Sequence, residues 1–140
     1  MYKDNRTEKV SVNMNISTLS YIDLLVDNGF YSNRSDFINH AVRECLSSQN
    51  KTIDRIIDAN AVKEDNTGIP SKSWFVGICN ISSEYLEKVL QQGVKLKISG
   101  YGMLVISKDC EEELVYNTVD SISIRGKIIC SENIKKYYNL

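Results

Sequence analysis

The side chains that most often perform catalysis or bind metals are sparse in this sequence. His40 is the only histidine, so paired-histidine metal sites and catalytic sets that join His to Ser or Cys find no support. The four cysteines, Cys45, Cys79, Cys110 and Cys130, lie 34, 31 and 20 residues apart, and no CxxC motif occurs. We expect reduced thiols that are buried or half-buried. The sequence thus predicts neither an enzyme nor a metal or cofactor site.

Composition and charge exclude further classes of protein. Among 140 residues, 17 Lys and Arg face 18 Asp and Glu, which excludes a globally basic nucleic-acid binder. The longest apolar runs fall well short of the about 18 residues that a membrane helix needs. The first ten residues, MYKDNRTEKV, lack the apolar core of a signal peptide. We therefore expect a cytoplasmic protein without membrane contact.

The N-terminal part combines one short strand pattern with a helix pattern. Val10, Val12 and Met14 alternate with polar neighbours, which is typical of a strand with one buried face. A helix is predicted to follow Asn15, a favourable N-cap residue, and to end at Gly29.

A second helix is predicted to begin after Asn33. Asn33 can cap this helix, and Asp36 can reach back to the cap residue as in a capping box. Apolar residues at helical spacing follow, and a weaker pattern to about Ala61 indicates an extension or a third helix.

A linker divides the chain into two domains. Residues 63–73 hold no aromatic residue and the only proline, Pro70, so we predict domains at 1–62 and 74–140. The first domain has no second strand to pair with its own. Because a lone strand leaves backbone groups unpaired, we predict an antiparallel pair between two copies in a homodimer. Pairing with the C-terminal domain is the alternative.

The C-terminal domain contains an internal repeat. The pattern G-x-[apolar]-x-[apolar]-S-x-[acid/Asn] begins at Gly77, Gly102 and Gly126, at spacings of 25 and 24 residues. Each copy joins a strand pattern to a helix pattern, which favours a short α/β solenoid. A ferredoxin-like β-α-β-β-α-β order is the alternative. The predicted fold class of the whole chain is α+β, and the C-terminal domain is predicted to bind a partner or ligand or to form higher oligomers.

Residues 8–48 resemble the ribbon-helix-helix family of the CopG, MetJ and Arc type. The resemblance rests on the alternating segment KVSVNMN, on Gly29, and on Asn33-Arg34-Ser35-Asp36 at the start of an amphipathic helix. It implies a dimer whose paired strands enter the major groove of double-stranded DNA. No family is identified for residues 74–140.

The resemblance also implies which residues contact DNA. The outer face of the ribbon would read bases, and the start of the second helix and an N-terminal arm would contact phosphates. The base-contacting residues would be Lys9, Ser11 and Asn13, and the phosphate-contacting residues would be Lys3, Arg6, Asn33, Arg34 and Ser35.

The expected function is that of a sequence-specific transcriptional regulator, in particular a repressor. Residues 1–62 hold seven basic and eight acidic residues, although counterion release by basic residues supplies much DNA affinity. We expect Asp23, among other acids, to face away from DNA. The alternatives are an antitoxin-like protein-binding module and a scaffold or assembly protein with residual DNA binding.

Overall fold

The computed structural model describes residues 7–61 and 72–140. The fold is mixed, with six helices and a three-stranded sheet in the described ranges. Contacts within the chain divide it into two compact units, Met1–Ile53 and Asp54–Leu140.

The first helix, α1, spans Ile16–Asp27 and has the predicted ends. The side chain of Asn15 accepts a hydrogen bond from Ser17 N at 2.8 Å, which confirms Asn15 as the N-cap. Gly29 follows the helix at φ +79°, a conformation that glycine adopts without strain. The amides of Gly29 and Phe30 then bond carbonyls of the last turn, as in a Schellman motif.

The second helix, α2, spans Arg34–Ser48, and α3 spans Asn50–Asn60. Asn33 caps α2 through a 2.8 Å bond from Asp36 N to its side-chain oxygen. The Asp36 carboxylate accepts from Ser32 N at 3.0 Å, rather than from the amide of Asn33 as a capping box requires. The predicted cap residue is therefore confirmed, but the reciprocal bond is made one residue earlier.

Residues 7–15 form neither helix nor strand in the single chain. A strand is defined by its ladder of bonds to a neighbour, and this alternating segment has no such neighbour within the described chain. The sheet consists of C-terminal strands only, so the alternative pairing with the C-terminal domain does not occur in the described ranges.

The C-terminal unit alternates strands with helices. Its strands are β1 (Lys72–Ile81), β2 (Leu96–Ile106) and β3 (Val119–Ile129), each followed by a helix: α4 (Ser83–Gln91), α5 (Glu112–Thr118) and α6 (Glu132–Tyr138). The strands are parallel and lie in the order β1-β2-β3. This order matches the repeat, and the ferredoxin-like alternative is wrong because consecutive strands here are separated by helices. Because β1 begins at Lys72, the last two residues of the predicted linker belong to the sheet, and residues 63–71 lie outside the described ranges.

The repeated glycines lie side by side across the sheet. Gly77 pairs with Gly102, and Gly102 pairs with Gly126. All three have positive φ, at +108°, +122° and +147°. A Cβ atom on Gly102 would clash with the carbonyl oxygen of Gly77, and one on Gly126 would clash with that of Gly102. The repeat therefore keeps glycine where the preceding strand leaves no space for a side chain.

Helices α4, α5 and α6 all contribute to one hydrophobic core on one face of the sheet. The helices bury apolar side chains, and alternate residues of the strands meet them. The fully buried hydrophobic side chains of the core are Leu86, Val89, Leu96, Ile98, Leu104, Val115 and Val119. Thr118 is the buried polar residue of the described chain, and its hydroxyl donates to Leu114 O at 2.6 Å.

Candidate nucleic-acid interface

The alternating segment and α2 together line a groove in the N-terminal unit. The groove has a volume of about 930 Å³. Asn13, Arg34 and Ser35, all predicted to contact DNA, contribute to its lining. Lys9 and Ser11 are exposed and are not among the lining residues. The structure thus brings one predicted base-contacting residue together with two predicted phosphate-contacting residues.

Much of this groove is apolar and exposed. Val10 and Val12 are 78% and 71% exposed, although their alternation indicates a buried face. On α2, Ile38 and Val42 also line the groove and are exposed. Ile22 is the one buried hydrophobic residue in the described part of this unit. A single chain therefore leaves this unit without a core of the size that a stable domain needs.

The first two residues of α2 line the groove and carry free backbone donors. Arg34 and Ser35 are the first two helical residues, and the Asn33 side chain bonds only the amide of the third, Asp36. The first amides of a helix lack intrahelical acceptors, and the helix dipole favours an anion there. Arg34 and Ser35 therefore offer the donors that a phosphate would accept.

The Arg34 side chain has a partner that the sequence did not indicate. Its Nε and one terminal nitrogen donate to the two carboxylate oxygens of Asp23 at 2.6 and 2.7 Å. This hydrogen-bonded pair lowers the pKa of Asp23 and raises the pKa of Arg34. Asp23, which we expect to face away from DNA, thus lies on the guanidinium of Arg34 at the start of α2.

The remaining candidate residues have simple outcomes. Lys3 and Arg6 lie outside the described ranges. Cys45 is exposed on α2, so the expectation of burial is wrong for this thiol, whereas Cys110 is buried. His40 is exposed, with its ring 5.8 Å from that of Tyr31.

Neither a metal centre nor a membrane span is found in the part of the chain that the structure describes. No three His, Cys, Asp or Glu side chains in residues 7–61 and 72–140 come together in a way that would hold an ion. None of the helices in these ranges has the length and apolar character needed to cross a bilayer.

Comparison with known proteins gives one match. The family model of the Ribbon-Helix-Helix transcriptional regulator family matches residues 5–135. The match covers the alternating segment and also nearly all of the C-terminal repeat, for which the sequence alone indicated no family. Neither a curated protein nor a solved structure matches the chain significantly.

Proposed function

Because the chain belongs to the ribbon-helix-helix transcriptional regulator family, we propose that it is a sequence-specific DNA-binding repressor that acts as a homodimer. The observation that carries this proposal is the apolar groove between the alternating segment and α2. Two copies that exchange their segments would cover both grooves and pair the two strands in an antiparallel ribbon.

The energetics favour this exchange. Each fully buried valine stabilises by about 1.5–3 kcal/mol relative to an exposed one. Val10 and Val12 are both largely exposed in the single chain, and a dimer would bury two of each. The paired strands would also satisfy backbone donors and acceptors that a lone segment leaves to water. A two-fold dimer matches an operator with two-fold symmetry.

A two-stranded ribbon fits the major groove, where base edges carry distinct donor and acceptor patterns. We assign base contacts to Lys9, Ser11 and Asn13. A lysine suits guanine, an asparagine suits adenine, and a serine suits either base. Each good bidentate contact discriminates by about 1–3 kcal/mol.

Phosphate contacts position the ribbon but carry no sequence information. We assign them to the amides at the start of α2, to Asn33, Arg34 and Ser35, and to an arm with Lys3 and Arg6. Arg34 already bonds Asp23 through two of its nitrogens, so its contribution to a phosphate would come from its remaining donors. This shared guanidinium and the charge balance of residues 1–62 favour modest DNA affinity per dimer. Cooperative assembly of dimers on repeated half-sites would compensate for it.

Fluorescence anisotropy with the full chain tests the proposal. The probes are a duplex from the DNA upstream of the protein's own gene and a scrambled duplex, each at two salt concentrations. We expect preference for the first duplex and weaker binding at higher salt. Asn13→Ala should reduce the preference about 10-fold or more, in line with the loss of a bidentate base contact.

Asn117→Ala is the matched control, because Asn117 is an exposed asparagine on α5 of the other unit. Equal binding of both duplexes by the wild type would overturn the proposal. So would an Asn13→Ala effect no larger than that of Asn117→Ala. Either result would indicate that the alternating segment serves dimerisation alone.

A further inference from the structure

The glycine row of the C-terminal sheet continues to an edge that has no neighbour. In the described ranges, β1 and β3 each pair on one side only, so the sheet has two free edges. At Gly102 and Gly126, glycine leaves room for a carbonyl oxygen of the preceding strand. Gly77 also has a positive φ, +108°, yet a Cβ atom on it would meet nothing within 4 Å. The outer side of β1 therefore has the shape that receives a preceding strand, and none of the described segments occupies it.

Both free edges also leave the hydrophobic core incomplete. Phe75 and Cys79 on β1 pack against the core but are only partly buried, and the same holds for Ile124 and Ile128 on β3. The edge of β3 borders a groove of about 550 Å³, whose lining includes Ile124, Ile128 and Leu140. Stacked repeats normally end in a repeat with a polar outer face, which keeps the ends soluble. At both ends of this repeat, apolar residues of the core reach the edge instead.

We propose that β3 of one copy pairs in parallel with the outer edge of β1 of a second copy, so that the sheet continues from one copy to the next. The internal repeat identifies the occupant of the edge as a copy of this chain. Within the chain, the Gly77 carbonyl lies against Gly102, and the Gly102 carbonyl lies against Gly126. The Gly126 carbonyl of the second copy would lie against Gly77 in the same way.

The same register would continue the core across the contact. Within the chain, core residues of adjacent strands lie opposite each other, as Cys79 does to Leu104 and Leu104 to Ile128. The partly buried apolar side chains of the two edges would cover each other and lose their contact with water. Between copies, the register places Gly126 opposite Gly77, Ile124 opposite Phe75 and Ile128 opposite Cys79.

The charges of the edge strands favour this pairing over a symmetric one. On the face away from the helices, β3 carries Arg125 and Lys127, and the matching positions of β1 carry the uncharged Val76 and Ile78. Two β3 edges paired antiparallel about Gly126 would place Arg125 opposite Lys127, which is unfavourable. Two β1 edges paired with each other would leave the edge of β3 unpaired. Only the pairing of β3 with β1 covers both edges without setting like charges against each other.

The contact is heterologous, because it joins two different edges. Heterologous contacts build rows or rings of molecules rather than a closed pair. Each ribbon dimer would carry two C-terminal units, so the contact would link dimers to one another. Cooperative assembly on repeated half-sites would follow, and this consequence rests on the proposed function. The contact itself does not require DNA and is therefore tested without it.

Sedimentation equilibrium of the full chain without DNA tests the contact. We expect the weight-average mass of the wild type to grow beyond that of a dimer as the concentration rises. Val76→Lys with Ile78→Lys sets lysines opposite Arg125 and Lys127 of the second copy, and should raise the dissociation constant of this step about 5-fold or more. Adding Arg125→Glu and Lys127→Glu to the same chain should restore the association, because each lysine then faces a carboxylate.

Tyr101→Lys is the matched control, because Tyr101 is exposed on the same face of the sheet but on the middle strand. It should leave the association unchanged. Amide exchange at Leu104, in the core of β2, verifies in each variant that the sheet is folded. A wild type whose mass never exceeds that of a dimer would overturn the inference. Association that the two glutamates do not restore, or that Tyr101→Lys abolishes, would indicate a different contact surface and would overturn it as well.

A disulfide between copies gives a second readout that also detects a weak contact. Neighbouring strands lie about 4.8 Å apart, which is within the Cα separation of about 4.4–6.8 Å that a disulfide spans. The variant is Ile128→Cys, combined with Cys45→Ser and Cys130→Ser to remove other accessible thiols. Oxidised glutathione should join position 128 of one copy to Cys79 of the next and produce a ladder of covalent oligomers on a non-reducing gel. Within one chain, β2 lies between these two positions and prevents the bond.

Ile124→Cys in the same background is the matched control for the disulfide. It lies on the same strand and face as Ile128, but it would face Phe75 and lie roughly 8 Å from Cys79, too far for a disulfide. Adding Cys79→Ser to Ile128→Cys should abolish the ladder. No ladder in Ile128→Cys, or an equal ladder in Ile124→Cys, would refute the pairing of β3 with β1. An intact ladder in a protein that fails to prefer its own upstream DNA would instead refute the proposed function alone.

Discussion

Replacing Gly102 by alanine should destabilise the C-terminal sheet more than replacing Gly77. Both glycines have positive φ, at +122° and +108°, so alanine is strained at either position. We estimate this strain at about 1–3 kcal/mol. Only at Gly102 does the added Cβ atom also clash with a carbonyl oxygen, because the space around Gly77 is open. The strand must then shift, and we estimate the cost of this shift at roughly 1–3 kcal/mol more, as for overpacking a core.

Thermal and urea unfolding of the full chain, followed by Trp74 fluorescence, measures both variants. Trp74 lies in β1 and is the only tryptophan, so its signal reports the unfolding of the sheet. In a domain of this size, each kcal/mol of destabilisation lowers Tm by roughly 4–8 °C. The Tm of Gly102→Ala should therefore lie below that of Gly77→Ala by this amount for each kcal/mol that the clash costs. If Gly77→Ala were as destabilising as Gly102→Ala, the clash with the neighbouring strand would not be the reason for the repeated glycine.

Three further predictions concern local contacts. Asn33→Ala should cost about 1 kcal/mol of stability through the lost helix cap, which thermal unfolding measures. The bond to Arg34 lowers the pKa of Asp23 in the folded state, so it stabilises the folded protein above the ordinary carboxyl range, and this stabilisation is lost as pH falls through the folded pKa. In Arg34→Gln, an NMR titration should show the pKa of Asp23 at its ordinary value. A pKa unchanged from that of the wild type would refute the pairing. Native alkylation followed by mass spectrometry should modify exposed Cys45 first and Cys110 last, because burial raises the pKa of the Cys110 thiol and shields it.

Local sequence rules predicted the features that depend on neighbouring residues. Asn15 and Asn33 cap helices, and Gly29 ends one, because these conformations are set within a turn of the chain. The repeated glycine motif likewise predicted the alternation of strands and helices, because a nearly fixed spacing requires each copy of the motif to occupy the same place relative to its neighbour.

The features that depend on how elements pack were not predictable in this way. Asp23 and Arg34 are 11 residues apart on different helices, and only the crossing of those helices brings them together. Cys45 was expected to be buried because free cysteines usually are, but its helix has too little apolar cover in one chain. The alternation of residue types predicted two faces for each strand. It did not predict that α4, α5 and α6 would all cover the same face of the sheet.

The aligned glycines determine how this domain can change in length. A change of register by one residue at the glycine row would move a side chain against the carbonyl oxygen of the adjacent strand. The spacings of 25 and 24 residues nevertheless differ, and β3 contains a bulge at its start, where Leu96 and Lys97 pair with Val119 and Ser121. Small insertions are thus accommodated at strand starts or in connections, away from the glycine row. Larger changes would have to add or remove a complete repeat, so that duplication of one strand–helix module is the simplest route by which such a domain lengthens.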